Sequence, residues 1–270
     1  MFKEPLLSEN SLKGKEAISK IKAIIILEVK AIIREPSSMF FIFVLPLVLT
    51  IVFGSVFGAD VIDEAQGLKG IDTVFPINLV FIIANVGLMG IPISISELKE
   101  KVTLKRYFSY PISYLTYFLS VMSTYLAVTV LSSLLVLVTC FWFFGANFFM
   151  SFSQTLGFLF FWLLAVYVFD SLGYIVVLCF KSSRSINIAA TAIFLIMIFG
   201  SGVAVPLERL PNEIQNIAKF TPMAHSIELL ESLWLSRFTL SDNAINIAYL
   251  IITSCLLTVI ITKYKIKWEG

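Results

Sequence analysis

Six long apolar stretches constrain this 270-residue chain more than any other feature of its sequence. Each is close to the roughly 20 residues that an α-helix needs to cross about 30 Å of hydrocarbon. Hydrophobic residues make up 58% of the chain, more than a soluble domain of this length can bury. The sequence therefore predicts an all-α polytopic membrane protein. The expected spans are Met39–Phe57, Val74–Ile95, Tyr114–Phe144, Thr155–Phe180, Ile186–Ala204 and Ala244–Thr262.

The distribution of lysine and arginine predicts how these spans are oriented. An even number of spans places both termini on one side of the membrane. If that side is the inside, sixteen lysine and arginine residues lie inside and four lie outside. Because basic residues concentrate in cytoplasmic loops, we expect a multi-pass protein of the cytoplasmic (plasma) membrane with both termini in the cytoplasm.

Residues 1–37 form a basic segment before the first span. This segment is too long and too charged for a cleaved signal peptide, so we expect the N-terminus to remain inside. Isoleucine and valine recur every three or four positions from Ile18 to Ile32, while lysines and Arg34 occupy the opposite side. The pattern predicts an amphipathic helix along the inner membrane surface, ended by Pro36. A helix that rests on a partner protein is the alternative.

A dense charged loop, residues 97–113, separates the second and third expected spans. It must lie in water, and its excess of lysine and arginine places it in the cytoplasm. Its apolar residues recur at roughly helical spacing, and Pro111 then disfavours helix at Tyr110. We expect a short helix that docks a partner. The alternative is that these charges only anchor the ends of two spans.

The segment 205–242 precedes the last span and is too polar to cross the membrane. Pro211 and Pro222 are expected to divide it into two short helical pieces. Non-helical backbone enters a membrane only where other parts of the protein cover it. A re-entrant hairpin that caps the outer mouth of the bundle would satisfy this condition.

Two motifs in these two segments resemble those of a known family. The first consists of Glu97, Glu100, Thr103, Leu104, Lys105, Arg106, Pro111 and Ser113. The second consists of Gly200, Gly202, Pro206, Leu207, Glu208, Leu210, Pro211 and Pro222. Both are similar to motifs of the ABC type-2 (ABC-2) permeases, the membrane subunits of ABC exporters. The family often has glycine where this chain has Val102.

The resemblance covers nearly the whole chain from about residue 15 and implies the ABCG-like type V exporter fold. Residues 38–270 would form the transmembrane domain, with a cytoplasmic coupling helix at 97–113 and an extracellular re-entrant hairpin at 205–242. An ABC ATPase subunit would dock on the coupling loop, and a second permease copy or a paralogue would complete the bundle. The implied coupling residues are Glu97, Glu100, Lys101, Thr103, Leu104, Lys105 and Arg106. The implied outer gate comprises Pro206, Glu208, Pro211 and Pro222.

The sequence contains no G-x-x-x-x-G-K-[ST] motif, which is the usual phosphate-binding loop of ATPases. We therefore expect a transport subunit that is not itself an enzyme, with ATP and Mg²⁺ bound by the partner ATPase. No His, Cys and carboxylate cluster has metal-ligand spacing, and we expect no nucleic-acid partner. The single histidine, His225, is expected to be a hydrogen-bonded structural residue.

Polar residues inside the expected spans fall into two groups. Asp170 lies near the middle of the fourth span, where a carboxylate costs a few kcal/mol on insertion scales. It is a candidate for the translocation path or for proton coupling; the alternative is a buried carboxyl that holds helices together. Asn78, Asn85 and Ser132 are among the residues expected to serve helix packing.

These observations favour the permease subunit of an ATP-driven exporter. Its cargo would be amphipathic or lipophilic, such as a drug, an antimicrobial peptide or a lipid-like molecule. The export direction follows from the family resemblance. Two alternatives remain open. A secondary transporter would normally show inverted repeats and several intramembrane charges. A membrane sensor or immunity protein would need no ATPase.

Overall fold

The computed structural model describes residues 21–22, 24–30, 32–34, 36–64, 67–100, 114–203 and 211–263. Within these residues, six helices are long and apolar enough to cross a membrane. We number them spans 1 to 6: Phe40–Phe57, Gly70–Leu98, Thr116–Phe144, Phe152–Cys179, Ser183–Gly200 and Leu240–Lys263. Each coincides with one expected stretch, which confirms the all-α polytopic architecture.

Shorter elements flank and connect the spans. The N-terminal helix covers the described residues between 21 and 34, and Pro36–Met39 opens the helix that continues into span 1. An antiparallel hairpin, Val61–Asp63 with Leu68–Lys69, joins spans 1 and 2.

The structure describes residues 211–239 of the segment between spans 5 and 6, and these contain two helices, as the positions of Pro211 and Pro222 predict. The short helix is Asn212–Ala218. The longer one is Pro222–Trp234, which we call the cap helix.

Spans 2 and 4 form the core of the bundle. In the most apolar 18-residue stretch of span 2, 83% of the residues are buried, and in that of span 4 the share is 61%. In the other four spans the buried share is between 17% and 33%. Since the exposed residues of those four spans are largely apolar, their outward faces suit hydrocarbon rather than water.

Two prolines explain an irregularity that spans 1 and 2 share. Turns of π-helix occur at Phe40–Val44 and at Val86–Gly90, and each ends two residues before a proline, Pro46 or Pro92. Proline has no N–H group, so carbonyls one turn earlier lose their helical donor, and the helix widens locally.

Carbonyls that lack a helical donor because of Pro46 bind side chains of neighbouring spans. The Phe41 carbonyl accepts a hydrogen bond from the Asn85 amide, and the Ile42 carbonyl accepts one from the Ser132 hydroxyl at 2.7 Å. Buried backbone oxygens in a membrane need such partners because no water is present. The expectation that polar residues of the spans serve helix packing is therefore confirmed for Asn85 and Ser132.

Spans 2 and 4 cross at a pair of glycines. A Cβ atom at Gly173 would lie 2.0 Å from the Gly87 carbonyl oxygen, and one at Gly87 would lie 2.6 Å from the Phe169 carbonyl carbon. Both distances are far inside van der Waals contact, so only glycine fits at this crossing. The backbones of the two core spans therefore touch within one turn of Asp170.

An aromatic cluster holds the C-terminal end of the cap helix. Trp234 contacts the rings of Phe75, Phe141, Phe148 and Phe158 at centroid distances between 4.4 and 6.3 Å. These rings come from span 2, span 3, the loop after it and span 4. Because aromatic pairs add to the free energy of burial, the cap helix is fixed to three spans at this end.

Candidate functional site

Three elements meet at the base of the bundle, which we define as residues 94–100 together with the N-terminal helix and the start of span 5. Near the end of span 2, Ser94 donates a hydrogen bond to Glu28 of the N-terminal helix at 3.0 Å. The Ser96 carbonyl accepts one from Ser183 of span 5 at 2.9 Å, and the Ser96 hydroxyl lies 3.2 Å from Asn187 Oδ1. The segment that leads toward the expected coupling loop is thus fastened to two other helices.

The expected coupling residues extend from this base. Glu97 is half-buried on the helix Ile91–Glu100, and Glu100 is the last residue of that helix. The other five lie outside the described residues: Lys101, Thr103, Leu104, Lys105 and Arg106. The coupling role of all seven stays a prediction.

Glu28 is the residue of the base that the sequence pattern did not single out. Its side chain is only 1% exposed and lies between Ile24 and Ile32 on the buried face of the N-terminal helix. Burial raises the pKa of Glu28 to about 7, against the opposing effect of the hydrogen bond from Ser94. The sequence feature that could have identified Glu28 is its position four residues from both Ile24 and Ile32, which places this acid on the apolar face of the helix.

Asp170 lies in the core of the chain, between spans 2 and 4. The residue is 1% exposed, and its Oδ1 atom has no hydrogen-bond partner among the described residues. The backbone at Phe169 and Asp170 lies against Gly87. Its role in a translocation path stays a prediction.

Apolar grooves open between the spans at two places among the described residues, and Asp170 lines neither of them. One has a volume of about 390 Å³ and is lined by Phe53, Phe57 and Phe81 of spans 1 and 2, with Asp60 contributing a carboxylate. The other has a volume of about 320 Å³ and is bounded by spans 2, 3 and 4 and by Trp234. Both suit apolar chemical groups. In the described part of the chain, no group of three or more His, Cys, Asp and Glu side chains is arranged to hold a metal ion.

The expected outer-gate residues are placed only in part. Pro206 and Glu208 lie outside the described residues, and Pro211 is exposed just before the short helix. Pro222 is buried in the first turn of the cap helix, where the absence of an N–H costs nothing, and Thr221 caps that turn. The re-entrant depth of this segment and its role as a gate stay predictions.

A chain of polar contacts joins the cap helix to span 6. His225 lies between the Lys219 carbonyl, 2.9 Å from Nε2, and the Asn246 side-chain oxygen, 2.6 Å from Nδ1. The side-chain nitrogen of Asn246 donates a hydrogen bond to Glu228 at 3.1 Å. The expectation that His225 is hydrogen-bonded is confirmed, and its structural role stays a prediction. Its partners were missed, because Asn246 belongs to another helix that only the tertiary fold brings near.

The loops at this end of the bundle are also cross-linked. Arg237, after the cap helix, forms an ion pair with Asp63 of the hairpin at 3.3 Å. Ser236 donates to Gln154 at the start of span 4 at 2.8 Å. Burial raises the pKa of Glu231 on the cap helix to about 7, although the charge of Arg237 opposes the shift.

A family model described as ABC-2 type transporter matches residues 19–235 of this chain. The matched region takes in the N-terminal helix, spans 1 to 5 and the cap helix, and so includes both motifs that resemble this family. A comparison with curated proteins finds no match. Because the family model covers well over half of the sequence, the chain belongs to the ABC-2 type transporter family.

Proposed function

We propose that this chain is the permease subunit of an ATP-driven exporter that moves an amphipathic or lipophilic cargo out across the cytoplasmic membrane. Its family and its six apolar spans support the permease role. Permeases of this family typically pair with an ATPase subunit. ATP and Mg²⁺ would be bound there, and this chain would convert closure of the ATPase into movement of its spans.

The geometry of the base carries the coupling part of the proposal. The helix Ile91–Glu100 forms the end of span 2 and extends two residues past it, so a push on the residues after Glu100 would act directly on the most buried span. The same segment is hydrogen-bonded to the N-terminal helix through Glu28 and to span 5 through Ser183. A displacement of this segment therefore has a direct physical route into three helices.

The two apolar grooves support the proposed class of cargo. Three phenylalanines line the larger groove, and a volume of about 390 Å³ matches the smaller end of known ligand pockets. A second copy of the chain or a paralogue would supply the other half of the translocation path, as the family implies.

The decisive experiment reverses the basic charges of the expected coupling loop. The full chain is purified from its native cells in mild detergent, and bound proteins are quantified by mass spectrometry. We expect an ABC ATPase subunit at close to equal stoichiometry with the wild type. We expect at least a tenfold loss of that subunit with Lys105→Glu/Arg106→Glu, since close opposite charges across an interface often contribute more than about 1.4 kcal/mol.

Lys181→Glu/Arg184→Glu is the matched control. Lys181 lies in the loop between spans 4 and 5 and Arg184 in the first turn of span 5, on the same expected side of the membrane. This variant should retain the ATPase. Copurification of the ATPase with the coupling-loop variant at wild-type levels would contradict the proposed docking site, and its absence from the wild type would contradict the ATP-driven function.

One observation favours a second candidate function, a proton-coupled secondary transporter. Asp170 is a buried carboxyl in the core with one oxygen that has no partner among the described residues, and such groups can form part of proton relays. In proteoliposomes that contain this chain alone, cargo movement driven by a pH gradient would support this function. Movement that requires the ATPase and ATP would support the exporter.

A further inference from the structure

The larger of the two described grooves is long, and one end of it is charged. Its walls are formed within residues 49–57 of span 1 and 73–81 of span 2, with Gly202 and Val203 beside them. At 1.5 Å of rise per residue, these stretches make the groove about 12 Å long. Asp60, in the connection between spans 1 and 2, lines the groove where span 1 ends. A groove of this shape suits one apolar chain with a polar group at one end.

The backbone around Asp60 is fixed by the packing of spans 1 and 2. The Asp60 N–H group donates a hydrogen bond to the Phe57 carbonyl at 3.1 Å, and the Asp60 carbonyl accepts one from the Gly70 N–H group at 2.8 Å. A Cβ atom at Gly70 would lie 1.9 Å from the Phe57 carbonyl oxygen, so only glycine fits there. Asp60 and the Phe57 ring therefore occupy one well-defined turn at the end of the groove.

Asp60 lacks the partners that two neighbouring acids have. Asp63 forms an ion pair with Arg237 at 3.3 Å, and Asp72 accepts two backbone hydrogen bonds at 2.9 and 2.7 Å. Among the described residues, no lysine or arginine forms an ion pair with the exposed Asp60. Because opposite charges are matched across binding interfaces, a carboxylate at this position favours a ligand with a positive charge at the same end.

The rest of the wall suits an apolar chain. The rings of Phe53 and Phe57 lie 6.4 Å apart between centroids, and Phe81 faces the same groove from span 2. Asn78 also lines the groove, but its side chain is bonded to the Pro46 carbonyl at 3.1 Å. Phenylalanine rings pack against apolar chains and also attract cations to their faces. The wall and the charged end therefore select two different parts of one ligand.

We propose that this groove binds amphiphiles that carry one apolar chain and a cationic head group. The chain lies among Phe53 and Phe81, and the head group lies beside Asp60 and Phe57. This proposal narrows the cargo class of the proposed function, and it rests on that function only in treating the bound amphiphile as cargo. Binding itself requires neither an ATPase nor transport, so it can be tested with the chain alone.

The test measures binding of two tritiated probes to the full chain in phosphatidylcholine nanodiscs. Dodecyltrimethylammonium carries the cationic head group, and dodecanol is a neutral probe with the same chain. We expect saturable, displaceable binding of the ammonium probe to the wild type. Asp60→Asn should weaken this binding at least threefold and leave dodecanol unchanged, since an exposed ion pair contributes a few-fold in affinity. Phe57→Ala should weaken both probes at least threefold, because burial of apolar surface does not depend on the charge.

Two control variants match these substitutions. Glu64→Gln removes a nearby exposed acid that does not line the groove, and Phe143→Ala removes a ring that is 79% exposed at the end of span 3. Both should bind the two probes like the wild type. An absence of saturable ammonium binding, an equal loss in Asp60→Asn and Glu64→Gln, or an equal loss of both probes in Asp60→Asn would overturn the proposal.

Photolabelling locates the bound chain independently of any substitution. An ammonium probe with a diazirine near the end of its chain should label residues 49–57 or 73–81 of the wild type. Labels confined to spans 3 to 6 would overturn the proposal. The copurification experiment on the ATPase does not depend on these results, so a failure of the cationic site and a failure of the exporter function are distinguishable.

Discussion

Replacing Glu28 with glutamine should strengthen docking of the N-terminal helix at alkaline pH and leave it unchanged at acidic pH. Glu28 is 1% exposed in the docked helix, and its pKa there is about 7 against an ordinary value of 4.5. An acid whose pKa is raised by folding binds its proton more tightly in the folded state. Docking is therefore strongest below pH 4.5, weakens as the pH rises through 7, and changes little above that.

The magnitude follows from the size of the shift. A change of 2.5 pKa units at 1.36 kcal/mol each weakens docking by about 3 kcal/mol between pH 4.5 and pH 8. Glutamine has nearly the same shape and never ionises, and its carbonyl can still accept the hydrogen bond from Ser94. Glu28→Gln should therefore recover most of that loss, which corresponds to about a hundredfold increase in protection from exchange at pH 8.

Hydrogen exchange of the segment 21–34 in the purified chain at pH 5, 6, 7 and 8 measures this effect. Lys30→Gln is the control, since Lys30 is exposed on the same helix, and its profile should follow the wild type. Ser94→Ala should lower wild-type protection further at pH 8, because it removes the bond that favours the charged form. Equal protection of wild type and Glu28→Gln at pH 8 would refute the reasoning.

Two further predictions concern the crossing of spans 2 and 4. Gly173→Ala should lower the thermal unfolding temperature through an overpacking cost of about 1–3 kcal/mol, because its Cβ would lie 2.0 Å from the Gly87 carbonyl oxygen. Gly157→Ala, whose nearest contact is at 3.6 Å, should unfold like the wild type, and equal temperatures for all three proteins would contradict the packing. Asp170→Asn should lower cargo transport at an unchanged membrane level; unchanged transport would remove Asp170 from the translocation path.

The sequence predicted the six spans because hydrocarbon imposes a length and a polarity that can be read locally. It also predicted the two helices after span 5, since Pro211 and Pro222 mark where each begins. It did not predict that span 2 starts at Gly70 rather than near Val74. Asp72 lowers the apolar character of that turn, but in the fold it is buried and accepts backbone hydrogen bonds from Lys69 and Asn147 at 2.9 and 2.7 Å.

The residues that join elements were harder to predict, because their partners are remote in sequence. Glu28 interrupts the isoleucine pattern of the N-terminal helix, and only the contact with Ser94, 66 residues away, shows why an acid is tolerated there. Asn246 looks like one polar residue in an apolar span until the cap helix supplies His225 and Glu228. In each case periodicity identifies the helix, whereas the meaning of the polar residue depends on the tertiary fold.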